Sequence, residues 1–176
     1  METVIATELE KTPVATAKAK EKVTVVVFSG ELDKVLAAFN IVVGAASMGM
    51  EASMFFTFWG LNVLKRNDKV STPRGLMKKM LARMNRGGTD KLVMSKFNMG
   101  GLGTWMMKKL MRQHKMPSVD EMLALSKEMN VKIIACTITM GMMGIEKEDL
   151  RPEIDQFAGV VTYLSEAKQS KVNLFI

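Results

Sequence analysis

The chain has 176 residues, of which 48% are apolar and 24% are charged, and its formal net charge is +7. This length is sufficient for one domain with a full hydrophobic core. The single cysteine excludes a disulfide within the chain, and one cysteine with one histidine cannot supply the ligands of an ordinary zinc site. We therefore expect a reduced, cytoplasmic, globular protein with no metal and no other cofactor.

The positive charge is concentrated in one segment. Residues 65–115 contain fourteen Lys and Arg but only Asp68 and Asp90, a net charge of +12, so the remainder of the chain carries −5. Nine of the 18 methionines lie between Met77 and Met116. The composition therefore predicts a basic, Met-rich insert at about residues 73–117 in an otherwise neutral to acidic protein.

The amino-terminal part predicts a tail, a strand and a helix. Residues 1–21 are rich in Thr, Ala, Lys and Glu, which is typical of a flexible tail. The β-branched run over residues 23–28 predicts a strand that is buried on both faces and ends at Ser29 and Gly30. Apolar residues then recur at helical spacing over residues 32–43 and predict the first helix.

Residues 35–64 contain Glu51 as their only formal charge. One interpretation is a helix followed by a buried strand over residues 54–59, which Gly60 ends before a short helix at 61–66. The alternative is a membrane-inserted hairpin, because the stretch is long enough to span a bilayer. A charge near the bilayer centre is costly, so Glu51 favours the helix and strand.

Two amphipathic helices are predicted in the insert. The first begins near Leu76 and ends before Gly87, and the second follows Gly103 and contains Trp105. Their basic residues are Lys78, Lys79, Arg83, Lys108, Lys109 and Arg112. The methionines of these helices suit core packing or an adaptable partner surface, but a contact with an anionic membrane or Cu(I) binding also remains open. Few aromatic residues accompany the charges, so a nucleic-acid partner is not expected.

The carboxyl-terminal part alternates between helices and strands. Ser118 and Glu121 form the pattern of a capping box at the start of a helix. A strand over residues 131–136 follows and ends at Cys136. The later predicted elements are a helix or turn at 137–143, a strand at 154–157, a helix at 160–169 and a strand at 172–176. This alternation predicts a three-layer α/β fold with a mostly parallel, five-stranded sheet of the Rossmann or flavodoxin-like kind.

In such a sheet a ligand is expected beyond the carboxyl ends of the strands. Cys136 lies at one of these ends and at the start of a helix, where free N–H groups lower the pKa of a thiol. A small buried hydrophobic residue is the alternative role for a lone cysteine. His114 lies in the insert and is interpreted as a surface residue, and the glycines match no nucleotide-binding motif.

Three segments resemble the DsrE/DsrF-like sulfur-relay family. They are Val25-Val26-Val27-Phe28-Ser29-Gly30 with the following Glu31-Leu32-Asp33-Lys34, Phe55-Phe56-Thr57-Phe58-Trp59-Gly60-Leu61, and Ala135-Cys136-Thr137-Ile138-Thr139-Met140 with Met143-Gly144-Ile145. The likeness extends over residues 22–176, which we interpret as one domain. It is to the branch that carries a Met-rich insert before the cysteine strand.

The resemblance implies that Cys136 carries sulfane sulfur, as a persulfide or thiosulfonate, between partners of the TusA or rhodanese kind. It also implies a homo-oligomer. The residues expected around the sulfur are Ser29, Gly30, Trp59, Gly60, Thr137 and Thr139. Some relatives have a second cysteine near the first, but residues 137–144 contain none. A mechanism that needs two thiols in one chain is therefore not expected.

Three functional hypotheses follow. In the first, the protein is a cytoplasmic sulfur carrier or transfer protein, and the basic insert is a lid or docking platform for a partner with an acidic face. In the second, it is an adaptor that binds a membrane surface or a protein through the insert. In the third, it is a one-cysteine thiol peroxidase that needs an external resolving thiol.

Overall fold

The computed structural model describes residues 21–68, 75–85 and 87–176, with the backbone alone for residues 81–84. These residues include five strands, which are β1 (Lys22–Val27), β2 (Glu51–Phe56), β3 (Lys132–Cys136), β4 (Gln156–Ala158) and β5 (Val172–Phe175). The strands form one sheet in the order β4-β3-β2-β1-β5, and every pair in it is parallel. The predicted α/β fold is therefore confirmed, and the predicted tail lies outside the described residues except for Glu21.

Seven α-helices accompany the sheet in this part of the chain. They are α1 (Leu32–Ser47), α2 (Leu61–Leu64), α3 (Leu76–Met84), α4 (Leu102–Gln113), α5 (Val119–Glu128), α6 (Thr137–Met143) and α7 (Val160–Lys168). The predicted capping box is present at the start of α5, where the Glu121 N–H donates to the Ser118 hydroxyl and the Ser118 N–H donates to the Glu121 carboxylate. This capping satisfies backbone groups that the first turn of a helix leaves unpaired.

The two faces of the sheet are covered unequally. Alternate strand residues, among them Val25, Phe56 and Ile133, belong to a large buried cluster with side chains of α1 and α5. On the opposite face a small cluster contains Val26, Phe55, Ile134, Cys136 and Ala158, with Tyr163 of α7 packed against it. No residue of α7 is fully buried. The cysteine therefore lies on the more thinly covered face.

The stretch over residues 35–64, with Glu51 as its only charge, forms most of α1, then β2 and α2, so the helix-and-strand interpretation is confirmed. The predicted boundaries of β2 need correction, because the strand begins at Glu51 and ends at Phe56. The next residues turn into a short 3₁₀ helix, Phe58–Gly60, in which Phe58 has a φ of 44°. Among the described residues no helix is both long enough and apolar enough to cross a membrane.

The insert contacts the carboxyl edge of the sheet at several places, and two of these contacts involve helices α1 and α6. The Lys78 ammonium on α3 donates to the Gly141 carbonyl on α6 at 2.8 Å. The Ser95 hydroxyl and N–H donate to the Asp33 carboxylate at the start of α1. Most described apolar side chains of α3 and α4 are exposed, with Leu76 at 85% and Trp105 at 56%, but Met111 is 7% exposed. Core packing therefore applies to Met111, and a partner surface is the remaining interpretation for the exposed residues.

Candidate functional site

Cys136 is the last residue of β3 and the N-cap of α6. The apolar strand places it at the carboxyl edge of the sheet, and the backbone turns there into the helix. The residue is 5% exposed and packs in the small cluster beside α7. Burial is the alternative that the sequence left open for a lone cysteine, and it leaves little of this residue accessible to a partner thiol.

Two threonine hydroxyls lie beside the sulfur. The Thr139 hydroxyl donates to Cys136 Sγ at 3.5 Å, and its oxygen lies 3.0 Å from the Thr57 hydroxyl oxygen. Either hydroxyl can be the donor between Thr57 and Thr139, and the Thr57 hydroxyl also hydrogen-bonds to Cys136. Thr139 is 2% exposed, whereas Thr57 is half-buried and directly follows β2. The loop after β2 is thereby joined to the first turn of α6.

These groups change the acidity of the thiol. Burial raises the pKa of Cys136, but hydrogen bonds from the Thr139 N–H and hydroxyl, the Thr57 hydroxyl and the Ile138 N–H lower it by more. The net pKa therefore lies below the ordinary value of a cysteine. Since the thiolate is the nucleophilic form, this environment favours attack by Cys136 on an electrophilic sulfur.

The glycines of the expected site allow two loops to pack closely. A Cβ atom on Gly30 would lie 2.5 Å from the Trp59 carbonyl oxygen, and one on Gly60 would lie 2.0 Å from the Val27 carbonyl oxygen. The Gly60 N–H also donates to the Phe28 carbonyl at 2.8 Å. The loops after β1 and β2 therefore need glycine at both positions.

The six residues expected around the sulfur separate into distinct environments. Ser29, Gly30 and Trp59 line a neighbouring cavity, Gly60 is buried between the loops, and Thr137 is exposed on the first turn of α6. Thr139 contacts the sulfur directly. Sequence reasoning missed Thr57 because the predicted strand continued past it to Trp59. Its position directly after a buried strand was the available signal.

The basic residues expected to dock a partner are not equivalent. Lys79, Lys109 and Arg112 are exposed, and Lys109 lies over the Trp105 ring at 5.4 Å from its centroid. Lys78 is also exposed but donates to α6 as described above. Lys108 is half-buried, donates to the Asp90 carbonyl at 2.7 Å, and has a lowered pKa mainly because of burial. The Arg83 side chain lies outside the described residues, and His114 is exposed at the end of α4.

Comparison with known proteins places this chain in a family. The model of the DsrE/DsrF/DrsH-like family matches residues 19–175. The chain belongs to this family. The resemblance drawn from the three sequence segments is thereby confirmed.

Two curated proteins related to this DsrE/DsrF/DrsH-like chain extend over nearly its whole length. The chain is 38% identical over 156 residues to the uncharacterized protein YrkE of Bacillus subtilis strain 168, covering 89% of this chain and 97% of that protein. It is 30% identical over 167 residues to the sulfur carrier protein DsrE2 of Allochromatium vinosum, covering 89% of this chain and 99% of that protein.

Solved structures support the fold assignment. The chain is similar to YchN of Escherichia coli with a TM-score of 0.54 and 10% identity, over 89% of this chain and 99% of that structure. It is similar to MTH1491 of Methanobacterium thermoautotrophicum, a protein of unknown function, with a TM-score of 0.50 and 13% identity, over 89% and 100% of the two chains. At these identities the likeness concerns the fold alone.

Proposed function

We propose that this DsrE/DsrF/DrsH-like protein is a cytoplasmic sulfur carrier that holds sulfane sulfur on Cys136. The observation that carries the proposal is the contact between Cys136 and Thr139 at the carboxyl edge of the sheet, which lowers the pKa of the thiol. The similarity to a relative named as a sulfur carrier protein supports the same role. A carrier needs one reactive thiol, which agrees with the single cysteine of the chain.

The transfer is a pair of sulfur displacements. The Cys136 thiolate attacks the outer sulfur of a donor persulfide, the donor S–S bond breaks, and the donor thiolate leaves as Cys136 becomes a persulfide. An acceptor thiolate then attacks that outer sulfur and regenerates the Cys136 thiolate. No external oxidant or reductant is consumed. The N–H and hydroxyl donors beside Cys136 stabilise the anion at the start and end of this cycle.

Burial of Cys136 places a condition on the partner. A partner thiol must come within bonding distance of a sulfur whose residue is only 5% exposed. The nearby surface is formed by the first turn of α6, where Ile138 is 67% exposed, and by α7, where Val161 is 77% exposed. Docking on this surface therefore has to displace α6 or α7 enough to admit the partner. A TusA-like or rhodanese-like protein is the expected partner.

Exposed apolar residues also support association between copies of the chain. On α7 and β5 the exposed apolar side chains are Val160, Val161, Leu164 and Phe175. Several exposed apolar side chains on neighbouring elements are a feature of interaction surfaces. We expect a homo-oligomer in which this face is covered, so that access to Cys136 depends on the oligomer as well as on the partner.

Intact mass spectrometry tests the carrier role directly. After incubation with inorganic polysulfide and removal of excess donor, the wild-type chain should gain the mass of one sulfur atom, and a reductant should remove it. Cys136→Ser is the matched control and should gain nothing. An unmodified wild-type chain, or equal loading of Cys136→Ser, would reject the proposal.

A second function is favoured by one observation on α4. Leu102, Trp105 and Met106 are all more than half exposed, and Lys109 lies beside Trp105. An apolar helix surface next to basic residues suits an anionic membrane surface. Flotation with vesicles that contain an anionic lipid tests this adaptor role. Salt-sensitive binding that is lost in Trp105→Ala would support the adaptor role. Absence of binding would reject the adaptor role.

A further inference from the structure

The cavity that Ser29, Gly30 and Trp59 line is a neighbour of the Cys136 site. It has a volume of about 400 Å³ and is located beyond the carboxyl ends of β1 and β2. The loop after β2 joins the two places, because Thr57 contacts Thr139 and Trp59, two residues later, lines the cavity. The polar residues of its wall are Ser29, Glu31, Lys34, Asn62 and Asn85. Its volume is typical of a site for a small molecule.

Asn62 in the cavity wall has an unsatisfied acceptor. The residue is 8% exposed, and its amide nitrogen donates to the Asn85 side-chain oxygen at 2.7 Å. No described residue donates a hydrogen bond to the Asn62 Oδ1 atom. Buried polar atoms are nearly always paired, because an unpaired acceptor loses its bond to water without compensation. This oxygen is sealed from solvent, so a ligand donor in the cavity can pair with it only after a rotation of the Asn62 amide that exposes it.

The same wall contains one negative and one positive charge. Glu31 pairs with Lys34 at 2.5 Å and accepts a hydrogen bond from the Ser29 hydroxyl at 2.9 Å. The hydrogen bond with Lys34 is the main reason that the pKa of Glu31 is lowered and that of Lys34 is raised, so both groups are charged at neutral pH. Glu31 would repel a simple anion and Lys34 a simple cation. A zwitterion can satisfy both groups.

We propose that this cavity binds the α-amino-acid group of a low-molecular-weight persulfide, with its ammonium at Glu31 and Asn62 and its carboxylate at Lys34. The proposal rests on the carrier role and names a class of sulfur donor for it. Trp59, which is 43% exposed, provides an apolar wall for the carbon chain of the ligand. Cys136 is 5% exposed and does not line the cavity, so transfer requires a movement of the loop after β2 or of α6 that opens a path between them. The Cys136 thiolate then takes the outer sulfur while the small thiolate leaves. Cysteine persulfide and glutathione persulfide share the required group.

Calorimetry with unreactive analogues tests binding separately from sulfur transfer. S-methylcysteine and S-methylglutathione are titrated into the full-length wild-type protein, and saturable binding of one of them identifies the source of the amino-acid group. Glu31→Gln and Lys34→Gln should each weaken that binding about tenfold, because each removes a charged hydrogen bond. Both side chains are partly exposed, which favours folding of these variants. Glu21→Gln and Lys171→Gln remove another exposed ion pair, at the amino ends of the strands, and should leave binding unchanged.

Sulfur loading then separates failure of the cavity from failure of the carrier role. We compare loading of Cys136 from the persulfide of the analogue that binds with loading from inorganic polysulfide. The ratio of the first to the second should fall about tenfold in Glu31→Gln and in Lys34→Gln. The absence of analogue binding, or binding that both variants retain at wild-type strength, would overturn the cavity assignment even if polysulfide loads Cys136. Analogue binding without loading from either donor would overturn the carrier role and support the amino-acid site alone.

Discussion

The hydroxyl oxygens of Thr57 and Thr139 lie 3.0 Å apart, and Thr139 donates its hydrogen to Cys136 Sγ. The pair connects the ends of two neighbouring strands, because Thr57 follows β2 and Cys136 ends β3. A hydroxyl that donates to sulfur stabilises the thiolate more than the thiol. The chain therefore offsets the burial of its single thiol with polar groups from the loop after β2 and from the first turn of α6.

Thr139→Val should raise the pKa of Cys136. The substitution removes the hydroxyl donor at nearly constant volume, whereas the backbone N–H donors of the first turn of α6 remain. A higher pKa leaves a smaller fraction of thiolate at neutral pH, so we expect alkylation of Cys136 to be several-fold slower. The measurement is the pH dependence of alkylation of Cys136. Thr24→Val is the matched control, since Thr24 is equally buried but bonds to Asn173; an equal shift in both variants would contradict the assignment.

Gly60→Ala should destabilise the fold through a backbone clash. The added Cβ would lie 2.0 Å from the Val27 carbonyl oxygen, an atom held by the sheet. We expect a loss of about 1–3 kcal/mol in the free energy of unfolding, measured by urea titration. Gly44→Ala is the control, because it lies within α1 with nothing within 4 Å of its added Cβ, and it should stabilise by about 1 kcal/mol. If both substitutions changed the free energy of unfolding in the same direction, close packing of the loops would not be the cause of the loss in Gly60→Ala.

The order of the elements was predictable because the hydrophobic periodicity is strong in this chain. Residues 23–28 are apolar at almost every position, as a central parallel strand requires, and β1 occupies Lys22–Val27. The end of β2 was not predictable in the same way. Phe58 and Trp59 favour a strand locally, but the chain turns at Thr57 and Phe58 takes a positive φ. This boundary error hid Thr57 from the predicted site.

Periodicity also cannot say which surface an apolar helix face covers. The stripe that contains Leu76, Met77 and Met80 correctly predicted α3, but these residues are 58–85% exposed. The sequence likewise left open whether Cys136 is reactive or buried, because its burial depends on α7 packing against the face of the sheet on which Cys136 lies. Both properties arise from tertiary contacts that a local sequence pattern does not encode.

Glu166→Gln should reduce the loss of stability in acid. Glu166 on α7 pairs with Lys22 and Lys132 from β1 and β3. Burial raises the pKa of Glu166, but these two partners lower it by more, so the net shift is downward. The contribution of Glu166 to the free energy of unfolding is therefore complete above the unfolded-state pKa of a glutamate. It is lost as the pH falls through the lower folded-state pKa.

Thermal unfolding between about pH 6 and about pH 3 measures this dependence. The wild-type protein should lose more stability over the range than Glu166→Gln, which has no carboxylate to protonate at this position. Glu128→Gln is the control, because Glu128 is exposed at the end of α5. Parallel pH profiles for the wild-type protein and Glu166→Gln would contradict the role assigned to the two ion pairs.

Reversing the charges of Lys109 and Arg112 should slow transfer of sulfur to an acidic partner. Both residues are exposed on α4, and the net charge of +12 over residues 65–115 attracts a negatively charged surface during encounter. We expect Lys109→Glu/Arg112→Glu to lower the single-turnover transfer rate to a TusA-like acceptor about tenfold at low salt. The difference should shrink at high salt, because ions screen such steering. Lys168→Glu/Lys171→Glu places the same charge change near the opposite end of the sheet; an equal decrease there would show that net charge, and not the insert, determines the rate.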